Sequence, residues 1–293
     1  MTLYILANPQ AGNSQAPDII DTIFEQYSDI PLEIHLTEKK DQEAILVERI
    51  LKTFDSNIDQ LLILGGDGTL SKTLDYWPAQ FPFAYYPTGS GNDFAHALSI
   101  QDLDKVMTAI QVKRSQKMFV MQTNNGTILN SLDIGFATKV IASSEQSSVK
   151  GFLKKLGLGK LTYLFFALKH LGHVSEEELE ITLDETTYHW QSSFFISIAK
   201  NKYFGGGITI WPDTSFQKPI IDLVYIPRKH FWSHLRGLLD LVLKRHKRSS
   251  VVRHFETHKV RIRSSKPFSY QYDGEVSQAN DLTLYCQERY IYY

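Results

Sequence analysis

The chain has 293 residues, of which 43% are hydrophobic and 22% charged, a composition that excludes disordered and fibrous classes of protein. Lys and Arg total 31 against 32 Asp and Glu, so the formal net charge of -1 gives no reason to expect nucleic acid as a partner. The single cysteine, Cys286, excludes an internal disulfide framework and a cysteine-rich zinc site, and it fits a reducing compartment.

The first third of the chain alternates short apolar runs with longer segments of helical periodicity. Strands that alternate with helices of about a dozen residues are typical of βαβ units, and these build a doubly wound, mostly parallel sheet. The predicted strands lie at 3–7, 32–36, 60–66 and 83–87, and the predicted helices at 17–27 and 42–54.

After about Lys117 the pattern changes to short β-branched and aromatic segments of alternating polarity, separated by Asn, Asp, Gly and Ser. This pattern predicts antiparallel strands that form a β-sandwich. Two helical segments, 154–172 and 230–248, interrupt it. We therefore predict an α/β domain over 1–120 and an antiparallel β-sandwich domain over 121–293, with the last residues returning to the first domain.

The sequence LLILGGDGTL places Gly65, Gly66, Asp67, Gly68 and Thr69 directly after a buried strand. Loops at the carboxyl ends of parallel strands bind ligands in α/β sheets. Glycines let backbone N–H groups approach phosphates closely, and the start of the following helix is electropositive. The alternative is an ordinary strand-to-helix turn in which Asp or Thr caps the helix.

Three further loops fall on the same predicted sheet edge. The loop PTGSGND follows the fourth strand and concentrates hydroxyl, amide and carboxylate groups beside two glycines. An Asn-Pro turn and a Gly-Asn turn follow the first strand, and a threonine follows the second. The residues singled out there are Asn8, Pro9, Gly12, Thr37, Thr88, Gly91, Asn92 and Asp93.

Near the end of the chain, QYDGEVS places Asp273 and Glu275 on either side of a glycine. A carboxylate there could accept a proton, but Asp-Gly is also a common hairpin turn.

Several other patterns do not match the functional motifs that they resemble. GLGKLT (157–162) lacks the spacing of a phosphate-binding P-loop, and the histidines form no HExxH zinc motif.

The segment Arg228–Lys266 carries twelve Lys or Arg against two acids, a charge of about +10. Within it, apolar residues lie along one helical face that ends in the cluster 244–248. Such a helix can lie on an anionic membrane, although it can equally pack on a core with a solvated end. The segment 150–170 is a second candidate for contact with a membrane.

The start of the chain lacks a signal-peptide pattern, and no apolar run is long enough to span a bilayer. We therefore expect a cytoplasmic protein at the membrane surface.

Together these motifs resemble the soluble bacterial diacylglycerol kinase family, the YegS-type lipid kinases related to the catalytic domains of eukaryotic sphingosine and diacylglycerol kinases. GGDGT alone is shared with NAD kinases and phosphofructokinases, whereas PTGSGNDFA with a distal DGE is more specific. The motifs appear in the family's order as ANPQAGN, GGDGTLSKTLD, PTGSGNDFAHAL, LDIGFATKV, KLTYLFFALKHL, NKYFGGGITIWPD and YDGE.

The resemblance implies an ATP- and Mg²⁺-dependent lipid kinase with its active site in the interdomain cleft, most naturally one that converts diacylglycerol to phosphatidic acid. It implies that the loop Gly65–Thr69 holds the phosphates of ATP and that the three other loops complete the nucleotide site. It also implies that Asp67 and Asp93 belong to the Mg²⁺ site, and that Asp273 is the general base with Glu275 beside it. Replacing Asp273 with Ala is expected to abolish transfer and leave the fold intact.

One departure from the family is visible. Where the family carries an Asp-Gly pair that helps to hold a structural Mg²⁺, this chain has TSFQKPIIDLVYI at 214–226. A second structural metal is therefore not expected. Two alternatives stay open, a kinase for a soluble substrate like the NAD kinases and a non-catalytic nucleotide- or lipid-binding regulator. Edge strands in the second domain are compatible with a homodimer.

Overall fold

A computed structural model describes residues 1–12, 14–136, 138–140, 175–204, 208–209, 211 and 214–293. The N-terminal part alternates strands and helices around a buried parallel sheet in the order β4-β3-β1-β2. Its elements are β1 (Leu3–Ala7), α1 (Ala16–Gln26), β2 (Leu32–Leu36), α2 (Glu43–Leu51), β3 (Gln60–Gly65), α3 (Asp67–Tyr76), β4 (Phe83–Pro87), α4 (Asp93–Leu98) and α5 (Leu103–Gln111).

The continuous apolar runs of β1 and β3 explain why these strands lie in the middle of the sheet. Every residue of both strands is buried, as expected where helices cover both faces of a parallel sheet. The outer strand β2 exposes part of its length. All four strands point the same way, so the loops that follow them meet at one edge of the sheet.

The C-terminal part is an antiparallel β-sandwich. Strands β9 and β14 are long, and each pairs with β8 along one half and with β7 along the other. The sheet therefore folds over onto a second apolar core, which includes Trp190, Phe268 and Tyr270. Its elements are β5 (Ser115–Thr123), β6 (Gly126–Ile128), β7 (Ser131–Gly135), β8 (Ser175–Leu183), β9 (Thr186–Ala199), β10 (Tyr203–Phe204), β11 (Ile208–Thr209), β12 (Ile221–Pro227), α6 (Phe231–Val242), β13 (Arg253–Thr257), β14 (Lys259–Tyr272) and β15 (Glu275–Tyr292).

The last strand connects the two parts. β15 pairs with β14 and β5, and its end runs parallel to β4 with Ile291 opposite Phe83. From β15 the buried guanidinium of Arg289 donates hydrogen bonds to the carbonyl oxygens of Trp77 and Leu74, both at 2.6 Å. These carbonyls lie at the end of α3, where a helix leaves acceptors without partners. The end of the chain thus fixes α3 to the sandwich.

The predicted architecture of an α/β domain followed by a β-sandwich is confirmed. The exact domain bounds stay a prediction, and the predicted helix 154–172 lies outside the described residues. The second predicted helix is shorter than 230–248, because Lys244 adopts a φ of 57° and ends α6. The N–H groups of Lys244 and Arg245 return to the carbonyls of Leu241 and Asp240, a Schellman ending. No helix in the described ranges is long and apolar enough to cross a membrane.

Candidate active site

The loops that follow β1, β3 and β4 pack backbone against backbone at the edge of the parallel sheet. Gly12 has a φ of 58°, and a Cβ atom there would lie 2.5 Å from the carbonyl oxygen of Thr88. A Cβ atom on Gly89 would lie 2.4 Å from the Cα of Gly66. No other residue fits at these points without moving a loop. Glycines therefore allow the three loops to come into close contact at this edge.

Polar side chains fill the space around these glycines. Asn8 donates a hydrogen bond from Nδ2 to Oγ1 of Thr69 at 3.3 Å, which links the β1 loop to the β3 loop. The hydroxyl oxygen of Thr88 and Oδ1 of Asn92 are buried and have no hydrogen-bond partner among the described residues. Buried polar atoms are normally paired, so these two atoms are suited to bond to a ligand.

The remaining residues predicted for this site lie around the same edge. Thr37 is buried at the end of β2 and its N–H bonds to Ala7. Pro9 is partly buried in the β1 loop, while Gly68 and Gly91 are exposed near the starts of α3 and α4. The first turn of α3 adds unpaired backbone N–H groups and a positive end of a helix dipole. An anion with several phosphates suits this edge.

Asp67, at the start of α3, has one carboxylate oxygen that accepts two hydrogen bonds from described residues, and burial and the charge of Asp67 raise the pKa of the neighbouring Tyr85 phenol. The Oδ2 of Asp67 accepts hydrogen bonds from the N–H of Phe94 at 3.3 Å and from Nδ2 of Asn130 at 3.0 Å. Its Oδ1 is buried without a hydrogen-bond partner in the part of the chain that the structure describes. Burial raises the pKa of Asp67 to about 7, against the lowering effect of the Asn130 hydrogen bond.

Asp93 is the buried first residue of α4. Its charge and that of Asp273 both raise the pKa of Asp67, so the three carboxylates lie close enough to interact. Carboxylate oxygens are the ligands that Mg²⁺ prefers in proteins. The buried Oδ1 of Asp67 therefore fits a divalent cation held by Asp67 and Asp93.

Asp273 occupies a two-residue turn between β14 and β15, with a φ of 44°. Its carboxylate accepts hydrogen bonds from the backbone N–H groups of three consecutive residues, the last of which begins β7, at distances from 2.7 to 3.3 Å. Burial raises the pKa of Asp273 to about 6, and those N–H groups oppose the rise. The hairpin-turn interpretation is thus right about the backbone, yet the carboxylate itself points inward. The N–H donors belong to Leu129, Asn130 and Ser131.

Asn130 connects the two parts of the site. Its side chain donates to Asp67, its backbone N–H donates to Asp273 at 2.9 Å, and its Oδ1 accepts from Nδ2 of Asn201 at 2.6 Å. Sequence reasoning missed both asparagines. The signal available was a polar residue at the end of an apolar run, TILN before β7 and ISIAKN after β9.

Behind the turn lies a second buried carboxylate, Asp133. It accepts hydrogen bonds from Ser131 Oγ at 3.0 Å and from the side chain of Gln271. Gln271 in turn accepts the N–H of Gly274 at 3.1 Å. Burial raises the pKa of Asp133 to about 7. This network braces the turn that holds Asp273.

Glu275, predicted to act beside Asp273, faces elsewhere. It is exposed and forms an ion pair of 3.2 Å with Lys72 on α3, which also pairs with Asp41 at 2.5 Å. No hydrogen bond joins Glu275 to the Asp67, Asn130 and Asp273 group within the described residues. The structure therefore places Glu275 as a contact between the turn and α3, and its role in chemistry stays a prediction.

Comparison with known proteins covers both parts of the chain. Residues 2–123 match the model of the diacylglycerol kinase catalytic domain, and residues 141–289 match the YegS C-terminal NAD kinase beta sandwich-like domain. A relative from Stenotrophomonas maltophilia, named "Probable lipid kinase YegS-like", is 27% identical over 303 residues, which cover 96% of this chain and 92% of the relative.

Solved structures share the fold. The crystal structure of a diacylglycerol kinase from Bacillus anthracis superposes with a TM-score of 0.69 at 14% identity, covering all of this chain and 96% of that one. The structure of an NAD kinase from Archaeoglobus fulgidus in complex with ATP has a TM-score of 0.52 at 11% identity, covering all of this chain and 94% of that one. At these identities the likeness concerns the fold alone.

Proposed function

Because the chain belongs to the lipid kinase family that joins a diacylglycerol kinase catalytic domain to a YegS-type C-terminal domain, we propose that it transfers the γ-phosphoryl group of ATP to the hydroxyl of diacylglycerol. One observation carries this proposal. A single residue, Asn130, is hydrogen-bonded both to Asp67 at the nucleotide edge and to Asp273 in the sandwich.

In the proposed reaction the edge of the parallel sheet binds ATP. The loop Gly65–Thr69 and the start of α3 offer backbone N–H groups to the phosphates. The unpaired atoms of Thr88 and Asn92 would bond to the nucleotide. Asp67 and Asp93 would hold Mg²⁺, which neutralises charge on the transferred phosphoryl group.

Asp273 would accept the proton of the attacking lipid hydroxyl. With a pKa of about 6, its carboxylate is ionised at neutral pH and still basic enough to take a proton during attack. Its three backbone hydrogen bonds fix its position, so the base keeps one geometry. Phosphoryl transfer needs little more than such positioning and charge neutralisation.

A lipid substrate requires contact with a membrane, and the surface around α6 suits one. The apolar residues predicted to share one helical face are divided in the structure, since Leu235 and Leu238 pack on the core. The others point outward, with Trp232 71% exposed. They stand next to the basic cluster 244–248, and each Lys or Arg near an anionic surface contributes about 1 kcal/mol. The exposed apolar residues are Phe231, Trp232, Leu239, Val242 and Leu243.

The central experiment incubates the purified protein with labelled ATP, Mg²⁺ and mixed micelles that each contain one lipid alcohol, with NAD in a separate arm. We expect labelled phosphatidic acid from diacylglycerol. Label in another lipid would show that the substrate differs from diacylglycerol, and it would still support a lipid kinase. Label in NADP would support the soluble-substrate alternative, and ATP binding without any labelled acceptor would support a regulator.

Membrane contact is tested with vesicles of phosphatidylglycerol and phosphatidylcholine. Replacing Trp232 with Ser should weaken vesicle binding by about tenfold, because one large apolar side chain no longer enters the bilayer surface. The matched control is Phe24→Ser, which removes an aromatic residue of similar exposure from α1. Equal losses in both variants, or no loss in either, would contradict the proposed surface.

A further inference from the structure

Lys200 is a fully buried lysine whose ammonium group lies among backbone carbonyl oxygens. Its exposed fraction is 0%. Its Nζ donates hydrogen bonds to the carbonyl oxygens of Ser215 at 2.7 Å, Ile220 at 2.9 Å and Lys218. An ammonium group has three N–H donors, so these three acceptors satisfy it.

The three carbonyls belong to one irregular loop, 214–220, between Trp211 and β12. Carbonyl oxygens that converge on one point repel each other unless a positive charge lies between them, and protein sites for hard cations use this arrangement. The loop is therefore shaped around a cation, and the cation is a side chain of the same protein.

This loop also joins the two domains. Phe216 is buried in the core of the α/β domain, with its ring 4.9 Å from that of Phe94 on α4. The carbonyl of Phe216 accepts the N–H of Phe119 at 2.7 Å. Phe94 in turn donates its own N–H to Asp67. The packing of Phe216 against Phe94 thus makes the position of the start of α4 depend on the position of the loop.

The backbone of Lys200 is attached to the other side of the site. Its N–H bonds to the carbonyl oxygen of Asn130 at 2.9 Å, and the next residue, Asn201, bonds to the Asn130 side chain. Lys200 therefore reaches from the residue that links Asp67 and Asp273 to the loop that packs behind Asp67.

We propose that the carbonyls of residues 215, 218 and 220 form a cation site and that the Lys200 ammonium is its built-in occupant. Lys200 is then a positioning residue, which holds loop 214–220 against α4 and keeps the two halves of the site in register. Its effect on phosphoryl transfer rests on the proposed function, whereas its effect on the loop does not.

The test uses two variants of the full chain and follows amide hydrogen exchange in 214–220. Lys200→Met fills the space without a charge, and Lys200→Ala opens it. Both should exchange at least about tenfold faster in this loop, since the loop loses its charged hydrogen bonds to the ammonium group. Propylammonium chloride, which matches the deleted atoms, should restore slow exchange in Lys200→Ala and not in Lys200→Met. Tetramethylammonium chloride, which has no N–H donor, should restore neither.

Lys202→Met is the matched control, because Lys202 lies two residues away with its ammonium 5.2 Å from the centre of the Tyr203 ring. Its exchange in 214–220 should equal that of the unaltered protein. Unchanged exchange in both Lys200 variants, or equal rescue by the two salts, would overturn the proposal.

A measurement on the unaltered protein covers the case in which the variants fail to fold. Under native conditions Lys200 should react with an acetylating reagent at least about 100-fold more slowly than Lys202, because a buried amine that is hydrogen-bonded is not available as a nucleophile. Equal rates would contradict the proposal. Kinase activity measured on the same samples is a separate readout, so absence of lipid phosphorylation with the expected exchange pattern would overturn only the proposed function.

Discussion

Two buried charges, Asp67 and Lys200, are attached to opposite sides of Asn130 and differ in how their polar atoms are paired. Lys200 has all three N–H donors bonded to carbonyls. Asp67 keeps one buried oxygen without a hydrogen bond among the described residues. Burial moves both pKa values toward neutrality, to about 7 for Asp67 and about 8 for Lys200.

The difference indicates that Asp67 is suited to bind a ligand, whereas Lys200 stabilises the structure around the site. A buried charge with every partner in place contributes to a defined structure, while a buried charge with a free atom costs stability until a ligand arrives. At the sheet edge that carries the glycine-rich loops, Thr88 and Asn92 also have buried atoms without a hydrogen-bond partner among the described residues. Variants at the two kinds of position should therefore change activity and stability in different ways.

The largest effect is expected at Asp273. Replacing it with Asn should lower kcat by about 10²–10⁴-fold, the usual contribution of a general base. Replacing Asp273 with Ala should also lower stability, by about 1–3 kcal/mol, because three backbone N–H groups lose their acceptor. The structure thus revises the expectation that Asp273→Ala leaves the fold intact. Steady-state kinetics and urea unfolding measure the two effects, and a kcat within threefold of the unaltered protein would remove Asp273 as the base.

Asp67→Asn should separate activity from stability most clearly. Activity should fall by at least about 100-fold, because the proposed Mg²⁺ site loses a charged ligand. Stability at pH 8 should rise, with about 4 kcal/mol as the upper limit, because the folded state no longer contains a carboxylate whose pKa is raised to about 7.

The raised pKa of Asp67 determines how the stability gain of Asp67→Asn depends on pH. The folded pKa of Asp67 lies above its unfolded value, so ionisation opposes folding, and the penalty grows as the pH rises from about 4 to about 7. The stability gain of Asp67→Asn should therefore shrink toward zero at pH 4. Urea unfolding at pH 4, 6 and 8 measures it, and a variant that is less stable at pH 8 would contradict the comparison with Lys200.

A smaller effect is expected at Gly89, which tests whether the edge is shaped by backbone contact. Gly89→Ala would place a Cβ atom 2.4 Å from the Cα of Gly66, so the loops must separate. We expect a loss of about 1–3 kcal/mol in stability and weaker ATP binding. A Cβ atom on Gly91 would meet nothing within 4 Å, so Gly91→Ala should leave the free energy of unfolding within about 0.5 kcal/mol. Equal losses of stability in the two variants, measured by thermal unfolding, would show that close contact between Gly89 and Gly66 does not stabilise the protein.

Local sequence patterns predicted much of the sheet edge that carries the glycine-rich loops. The strand-to-loop transitions at Gly65 and Pro87 could be seen because a buried strand is a run of neighbouring apolar residues and a tight loop is a run of neighbouring small ones. The parallel direction of the strands then brings the loops together. The roles predicted for these residues stay predictions, while their common location at one edge follows from the fold.

The hairpin turn was harder to interpret, since Asp-Gly is ordinary turn sequence. The carboxylate of Asp273 faces a segment more than 140 residues away, and no local pattern carries such information. Glu275 shows the opposite case. It lies two residues from Asp273, but Asp273 is in the turn with a φ of 44°, whereas Glu275 begins β15 and forms an ion pair with Lys72 on α3.

The sequence by itself determined the family, the order of the two domains and the glycine-rich loops, because periodicity and motifs depend on residues close together in the chain. Only the tertiary structure decided which polar atoms are paired. Asn130, Asn201 and Lys200 look like ordinary polar residues at strand ends, and they become the links of the site because folding places them between two domains. A hydrogen bond depends on distance in space, and burial then decides whether an atom without one is costly.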